Sequence, residues 1–273
     1  MTRIDRRALF TSGVAATLLA ASGLSAVAQP KRGGRLRLAL ARDSGSFDAV
    51  MRGAVFDTLT EVAPDGVLRG ELATGWHGSA DAKTWQFDLR PDAFFHDGGA
   101  VTAEDVLASL PELDGLVATE TNGSGRIRLT FDAAKPDLPL MLSDPGLGIA
   151  PGGDRSAGVG SGLYRVERMQ DGRQFLGARV VGHYRDEHAG WADQVELITI
   201  SDPAVRAEAL RDGFVDVAEL PEPKGLGGRG GFVYHPSAED MALAISPAIG
   251  LPARISSRAP MDDGRIAERW WIA

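Results

Sequence analysis

The sequence predicts a protein of mixed strands and helices, α/β or α+β in class, built in two lobes. Three observations carry this. Apolar and polar residues alternate with period two at 35–40, 84–89 and 126–131, as in strands with one buried face. Helix-start chemistry at Thr102 and Asp202 places helices between strands. A stretch dense in glycine and proline, 145–162, reads as a crossing between lobes, because neither residue suits an element interior.

The elements follow in order. In Arg35-Leu36-Arg37-Leu38-Ala39-Leu40 every second residue is leucine, and Asp43-Ser44-Gly45-Ser46 ends the strand. A helix is expected around Val50 to Val62, stopping at the turn Pro64-Asp65-Gly66. Thr84-Trp85-Gln86-Phe87-Asp88-Leu89 is the clearest strand, with Trp85, Phe87 and Leu89 on one face. His96-Asp97-Gly98-Gly99 turns the chain. Thr102-Ala103-Glu104-Asp105 fits a capping box that opens a helix ending near Leu110. Ile127, Leu129 and Phe131 alternate in a further strand. Strands are also expected at Leu163 to Met169, Arg173 to Val181 and Val195 to Ile200. Asp202 caps a helix with Pro203 at its first position, and Gly213 stops it. Phe214 to Ala218 reads as a short strand, and Gly225 to Gly231 as a flexible loop.

The first 28 residues read as an export signal. Arg3, Arg6 and Arg7 form a basic start, Gly13 to Leu24 carries no charge, and Ala26-Val27-Ala28 offers a small-residue cleavage site before Gln29. Asp5-Arg6-Arg7-Ala8-Leu9-Phe10 has the form of a twin-arginine motif, the alternative being an ordinary secretory signal that carries paired arginines. The apolar stretch is shorter than the ~20 residues that span a bilayer as a helix. Nothing later in the chain is longer, so the mature chain is expected to have no membrane span.

Composition narrows the function. The net charge is -8, which argues against nucleic acid, whose phosphates favour lysine and arginine. The chain has no cysteine, which removes disulfides, thiolate nucleophiles and cysteine-based metal sites. Gly158-Val159-Gly160-Ser161-Gly162 is not a nucleophile elbow, neither glycine cluster continues as a phosphate loop, and Gly225–Gly231 lacks the strand-to-helix setting of a dinucleotide site. The expectation is no enzyme, no cofactor and no metal. His183 and His188 are five residues apart, a spacing that does not put both on one helical face. His96 reads as a turn residue that bonds locally.

Three stretches carry a family resemblance. One runs from Glu71-Leu72-Ala73-Thr74-Gly75-Trp76 through Thr84–Arg90 and Phe95-His96-Asp97-Gly98 to Thr102-Ala103-Glu104-Asp105-Val106. The second is Gly160-Ser161-Gly162-Leu163-Tyr164. The third runs from Ala192-Asp193-Gln194-Val195 through Asp202-Pro203-Ala204 to Gly213-Phe214-Val215-Asp216-Val217. Together they resemble the peptide/nickel class of bacterial extracellular solute-binding proteins, family 5, the family of the oligopeptide- and dipeptide-binding proteins.

The resemblance implies a type II periplasmic-binding-protein fold, truncated relative to the family. Ligand would lie in a cleft between lobes that close by hinge motion, and an ABC permease of the inner membrane would be the partner. The function implied is the periplasmic component of an importer, binding a small, peptide-like solute. The alternative is an envelope scaffold or sensor without its own pocket. Residues 29–64 and 161–222 would form one lobe and 65–160 a second, shortened at Pro111 to Gly125. Residues 223–273 would hold a glycine-rich loop and the remnant of a third domain, with Met241–Ala244 and Arg258–Arg269 resembling that domain's opening. Most of the domain, which in the family walls the cleft, would be lacking. In the family the stretch matching Ser44, Gly45, Ser46 and Phe47 borders the ligand; read by itself it is a turn with one buried aromatic. Tyr164 either lines the cleft or fills core.

Overall fold

The computed structural model describes residues 32–42, 44–63, 66–110, 113–122, 125–221, 233–236 and 242–246. The export signal, the Gly225–Gly231 loop and Arg258–Arg269 lie outside the described residues.

Two sheets organise the chain. The larger has seven strands: β1 (Arg35–Leu40), β8 (Tyr164–Gln170), β9 (Gln174–Arg179), β10 (Gln194–Thr199), β11 (Val217–Leu220), β12 (Val233–Pro236) and β13 (Ala242–Ile245). Their order is β12-β13-β11-β1-β10-β9-β8. β1 is central and parallel to both neighbours, β10 and β11; the other pairings are antiparallel. Two parallel neighbours require a crossover, and α4 (Pro203–Arg211) supplies it between β10 and β11. Asp202 caps α4 by accepting the Ala204 N–H at 2.8 Å, and Gly213 follows the helix at φ +77°.

The period-two pattern of β1 sends its side chains to two different cores. Leu36, Leu38 and Leu40 pack with Phe47, Val50, Met51, Ala54 and Val55 of α1 (Ser46–Val55) and with Val195, Leu197, Phe175 and Tyr164 of the neighbouring strands. Ala39 faces the other way, into a smaller cluster with Ala207 and Leu210 of α4. The sheet is thus covered on both faces, which is why its central strand is mostly apolar.

The second sheet orders β4 (Ala73–Gly78), β5 (Thr84–Leu89), β7 (Arg126–Phe131) and β6 (Leu116–Thr121), all antiparallel. Phe87, Ile127, Leu129 and Phe131 bury their expected face against Leu72, Val106 and Ile149, with Trp85 and Leu89 partly buried beside them. α2 (Ala103–Ser109) begins with the full capping box: Asp105 N–H donates to the Thr102 hydroxyl oxygen at 3.2 Å, and Thr102 N–H donates to the Asp105 carboxylate at 3.1 Å. A short helix, α3 (Leu138–Met141), and three 3-10 turns lead through the crossing.

Three boundaries depart from the sequence reading. The helix expected at Val50 to Val62 starts earlier and ends at Val55; Phe56 is extended, and Thr60–Val62 forms β2, paired with β3 (Leu68–Gly70). The β-branched Thr58, Thr60 and Val62 favour extended backbone, and the buried Glu71 carboxylate takes the Thr58 N–H at 2.7 Å. The strand expected at Phe214 begins at Val217, because the Phe214 and Val215 N–H groups still close the end of α4 on the Ala209 carbonyl. Phe214 itself is exposed. β6 stands where only a shortened excursion was expected, and it is exposed along nearly all its length.

Candidate functional site

The expected ligand residues stand at the carboxyl end of β1. There the chain enters α1, which packs toward β8, β9 and β10, whereas α4 leads to β11 on the other side of β1. In open α/β sheets as a class, ligands are held in the crevice outside the carboxyl ends at such a reversal. Gly45 takes the left-handed conformation at φ +72°, which only glycine adopts without strain, and this turns Ser44 and Ser46 back toward β11.

Both hydroxyls meet the same carboxylate. Ser46 Oγ donates to Glu219 Oε1 at 2.8 Å, Ser44 Oγ donates to Oε2 at 3.1 Å, and the Ala41 N–H donates to Oε2 at 2.7 Å. Glu219 is 2% exposed, and among the described residues no cation lies within ion-pair distance of its carboxylate. Arg206, also buried, donates instead to the main-chain carbonyls of Glu219 and Ile200. Burial pushes the Arg206 guanidinium below its ordinary pKa, and Glu219 and Asp202 oppose that shift. Three neutral donors, two hydroxyls and an amide, thus meet one buried carboxylate at this turn.

Phe47 is buried in the core under the turn. Tyr164 is fully buried and donates its hydroxyl to the Ala192 carbonyl at 3.0 Å, three strands from β1. Sequence reasoning missed Glu219. Its signal was a single acid in Val217-Ala218-Glu219-Leu220, a four-residue strand that is buried throughout.

The opposite end of the large sheet meets the smaller sheet. Here the crossing Gly160-Ser161-Gly162 runs against the end of α1, with Gly162 N–H donating to Val55 O at 2.9 Å. A Cβ on Gly160 would lie 2.0 Å from Val55 O, and one on Gly162 2.6 Å from Ala54 O, so neither position admits a side chain. Two histidines grip this segment from opposite sides. His96 Nε2 donates to Gly162 O at 2.8 Å, while its Nδ1 accepts the Gly160 N–H at 3.4 Å. His183 Nε2 donates to Ser161 O at 2.8 Å, while its Nδ1 accepts the Arg185 N–H at 3.1 Å. An Nδ1 that accepts from a backbone amide carries no proton, so the His96 geometry goes with a neutral ring. Burial is the main cause that lowers the His96 pKa; His183 and Arg165 add to it, while the Gly162 bond and Asp57 oppose it. His96 is therefore not the locally bonded turn residue expected from sequence: its partners lie across the junction. With both nitrogens engaged, His183 has no lone pair to offer a metal. His188 is exposed, and no group of three or more ligating side chains forms a metal site among the described residues.

Buried charge surrounds the histidines. Asp57 Oδ2 lies 3.7 Å from His183 Nε2. Arg185 bridges Glu61 at 2.7 Å and the fully buried Glu71 at 3.2 Å. Arg90 stacks on the Tyr184 ring, 3.7 Å from its centroid. Beside this network, between Phe94–Gly98 and Arg179–Tyr184, lies a cavity of about 400 Å³.

Comparison with known proteins places the chain. A model of the bacterial extracellular solute-binding proteins, family 5 (middle region), matches residues 67–227. The chain is 26% identical over 188 residues to the peptidoglycan-binding protein YepA of Agrobacterium fabrum, covering 59% of this chain and 30% of YepA. It is 27% identical over 271 residues to y4tO of Sinorhizobium fredii, named "Probable peptide ABC transporter periplasmic-binding protein", covering 80% of this chain and 49% of y4tO. The fold matches DppA of Helicobacter pylori, an ABC transporter-associated periplasmic binding protein solved with the peptide STSA. That match has a TM-score of 0.65 and 20% identity, covering 76% of this chain and 51% of DppA. The chain thus spans half or less of the length of these two curated relatives. Among the described residues, no helix is long and apolar enough to cross a membrane. The topology, the crossing and the family match over 67–227 agree: the chain belongs to the bacterial extracellular solute-binding proteins of family 5, and its fold is that of the periplasmic binding proteins.

Proposed function

We propose that this protein is the solute-binding component of an ABC importer of the peptide/nickel class. It is exported through the signal containing Arg6 and Arg7, cleaved after Ala28, and delivers a small, peptide-like solute to an inner-membrane permease. The solute sits at the carboxyl ends of β1 and β11, bordered by Ser44, Gly45 and Ser46, with Phe47 and Tyr164 in the supporting core. One observation carries this reading: the strand order reverses across β1 at that point, and the Glu219 carboxylate is buried there with no cation within ion-pair distance among the described residues. Such a charge favours a solute with an ammonium end, as a peptide has. The printed name of y4tO supports the peptide class. The two lobes correspond to the two sheets, joined at Phe56–Leu59 and through the 145–162 crossing. A solute at the carboxyl ends of β1 and β11 therefore lies at the end of the larger sheet away from the smaller one, not in the cleft between these two lobes expected from sequence.

Thermal denaturation of the full chain with tri-alanine and other short peptides, with nickel alone as the rival, tests the reading. Binding to the folded form alone stabilises it by mass action, about 2.7 kcal/mol at a hundredfold excess over Kd. Stabilisation by peptides is expected. No stabilisation by any peptide, or stabilisation by nickel alone, would overturn the peptide assignment.

A further inference from the structure

The cavity at the junction lies far from that crevice. Strand register places Arg165 opposite Ala178, Ala178 opposite Gln194 and Gln194 opposite Arg35, with Arg179 one residue further on. Both arginines therefore stand at the amino end of β1, about 17 Å of strand from its carboxyl end.

We propose that this cavity is a second binding site, for a small monoanionic carboxylate bearing an apolar group. The charges lining it do not cancel among themselves. Asp92 pairs with Arg90 at 3.3 Å, and Arg179 pairs with Asp186. Arg165 lines the same cavity, is exposed, and has no anion within ion-pair distance among the described residues. Arg179 adds a second guanidinium to the wall, tied to Asp186 through its Nη2. Two guanidiniums in one cavity, one of them without an acid among the described residues, together call for an oxyanion.

Two further features define the ligand. Phe94 and Val181 are 54% and 90% exposed in the cavity wall, more apolar surface than a solvent-filled recess favours, so the ligand carries an apolar part to cover them. Asp92 in the same wall opposes a second negative charge, which selects a monoanion over a phosphate dianion. The volume suits one small molecule. His96 and His183 form the inner wall, so an occupied cavity presses on the side chains that grip the crossing.

Calorimetric titration of the full chain with N-acetyl-leucine, its uncharged amide and inorganic phosphate tests the proposal. N-acetyl-leucine is expected to bind and the amide and phosphate not to. Arg165→Ala should weaken N-acetyl-leucine at least about tenfold, and Arg165→Lys should restore part of the loss. Arg165 is a surface residue on an edge strand, so the variant keeps the parent thermal midpoint. A Ser44→Ala change at the other end of the sheet should leave this binding intact. Equal binding of the acid and its amide, binding insensitive to Arg165→Ala, or binding lost in Ser44→Ala would each overturn it, as would no binding at millimolar acid. Because the probes and variants differ from those of the peptide crevice, the two sites fail separately.

Discussion

The two ends of β1 solve the same problem differently. Each end buries a glutamate. At the carboxyl end Glu219 is held by two serine hydroxyls and one amide, all from the turn that opens α1. At the junction Glu71 takes the Thr58 N–H and hydroxyl, both at 2.7 Å, and is also met by Arg185 from the far side of the crossing. A carboxylate held by neutral donors leaves a net charge in the crevice. One paired to an arginine neutralises itself and ties two parts of the chain together. The first arrangement suits a place that must recognise something; the second suits a place that must not come apart.

That contrast predicts unequal costs. The largest is at the junction. Arg185→Ala removes the guanidinium that bridges Glu61 and the buried Glu71 and should cost about 3–5 kcal/mol in urea unfolding; a loss below about 1 kcal/mol would mean the bridge does not hold the junction. Next is Gly162→Ala, whose Cβ meets the Ala54 carbonyl. A backbone oxygen cannot swing aside, so about 2–3 kcal/mol is expected. Gly45→Ala, where nothing lies within 4 Å, should cost only the left-handed strain of about 1 kcal/mol. Glu219→Gln keeps the shape and removes the charge. Stability should fall by about 1–2 kcal/mol, and peptide binding should weaken far more than in Arg185→Lys, which keeps the junction's charge.

The smallest effect is on pH dependence. The folded pKa of His96 lies below its ordinary 6.5. The unfolded chain therefore binds the extra proton first, and the contribution is fully present above pH 6.5 and fades as pH falls through the lower folded value. Asp57 opposes this shift, while His183 and Arg165 support it. His96→Gln should flatten the stability profile below pH 6.5, measured by thermal melts across that range. An unchanged slope would show that His96 is not the group responsible.

Much of the fold was legible in sequence where one face is buried and the other wet. β1, β5 and β7 announced themselves by alternation, and α2 and α4 by their caps, because those signals are local. β6 did not: an edge strand exposed on both faces has no apolar stripe to read. The end of α1 was misread because the residues after Val55 are extended through contacts with Glu71, which is 13 residues from Thr58 in sequence and leaves no mark on a local helical pattern. The Gly160-Ser161-Gly162 crossing was visible as a motif, yet its reason, two carbonyls of α1 pressed against it, is tertiary. So is the role of His96. Its turn could be read from Phe95-His96-Asp97-Gly98, but its partners lie 64 and 66 residues away. Ser44 and Ser46 were named from family resemblance; Glu219, to which both bond, was not, because a carboxylate in a short apolar strand has no pattern of its own.

The central claim is that solute enters at the carboxyl ends of β1 and β11. Amide chemical shifts of the isotope-labelled full chain, followed during titration with tri-alanine, test it most directly. The account predicts that the amides of Ala41, Ser44–Phe47 and Glu219 move together and saturate at one Kd, while those of Gly160–Gly162 stay fixed or move only slightly. Shifts confined to the junction, or none at the carboxyl end at saturating peptide, would contradict it.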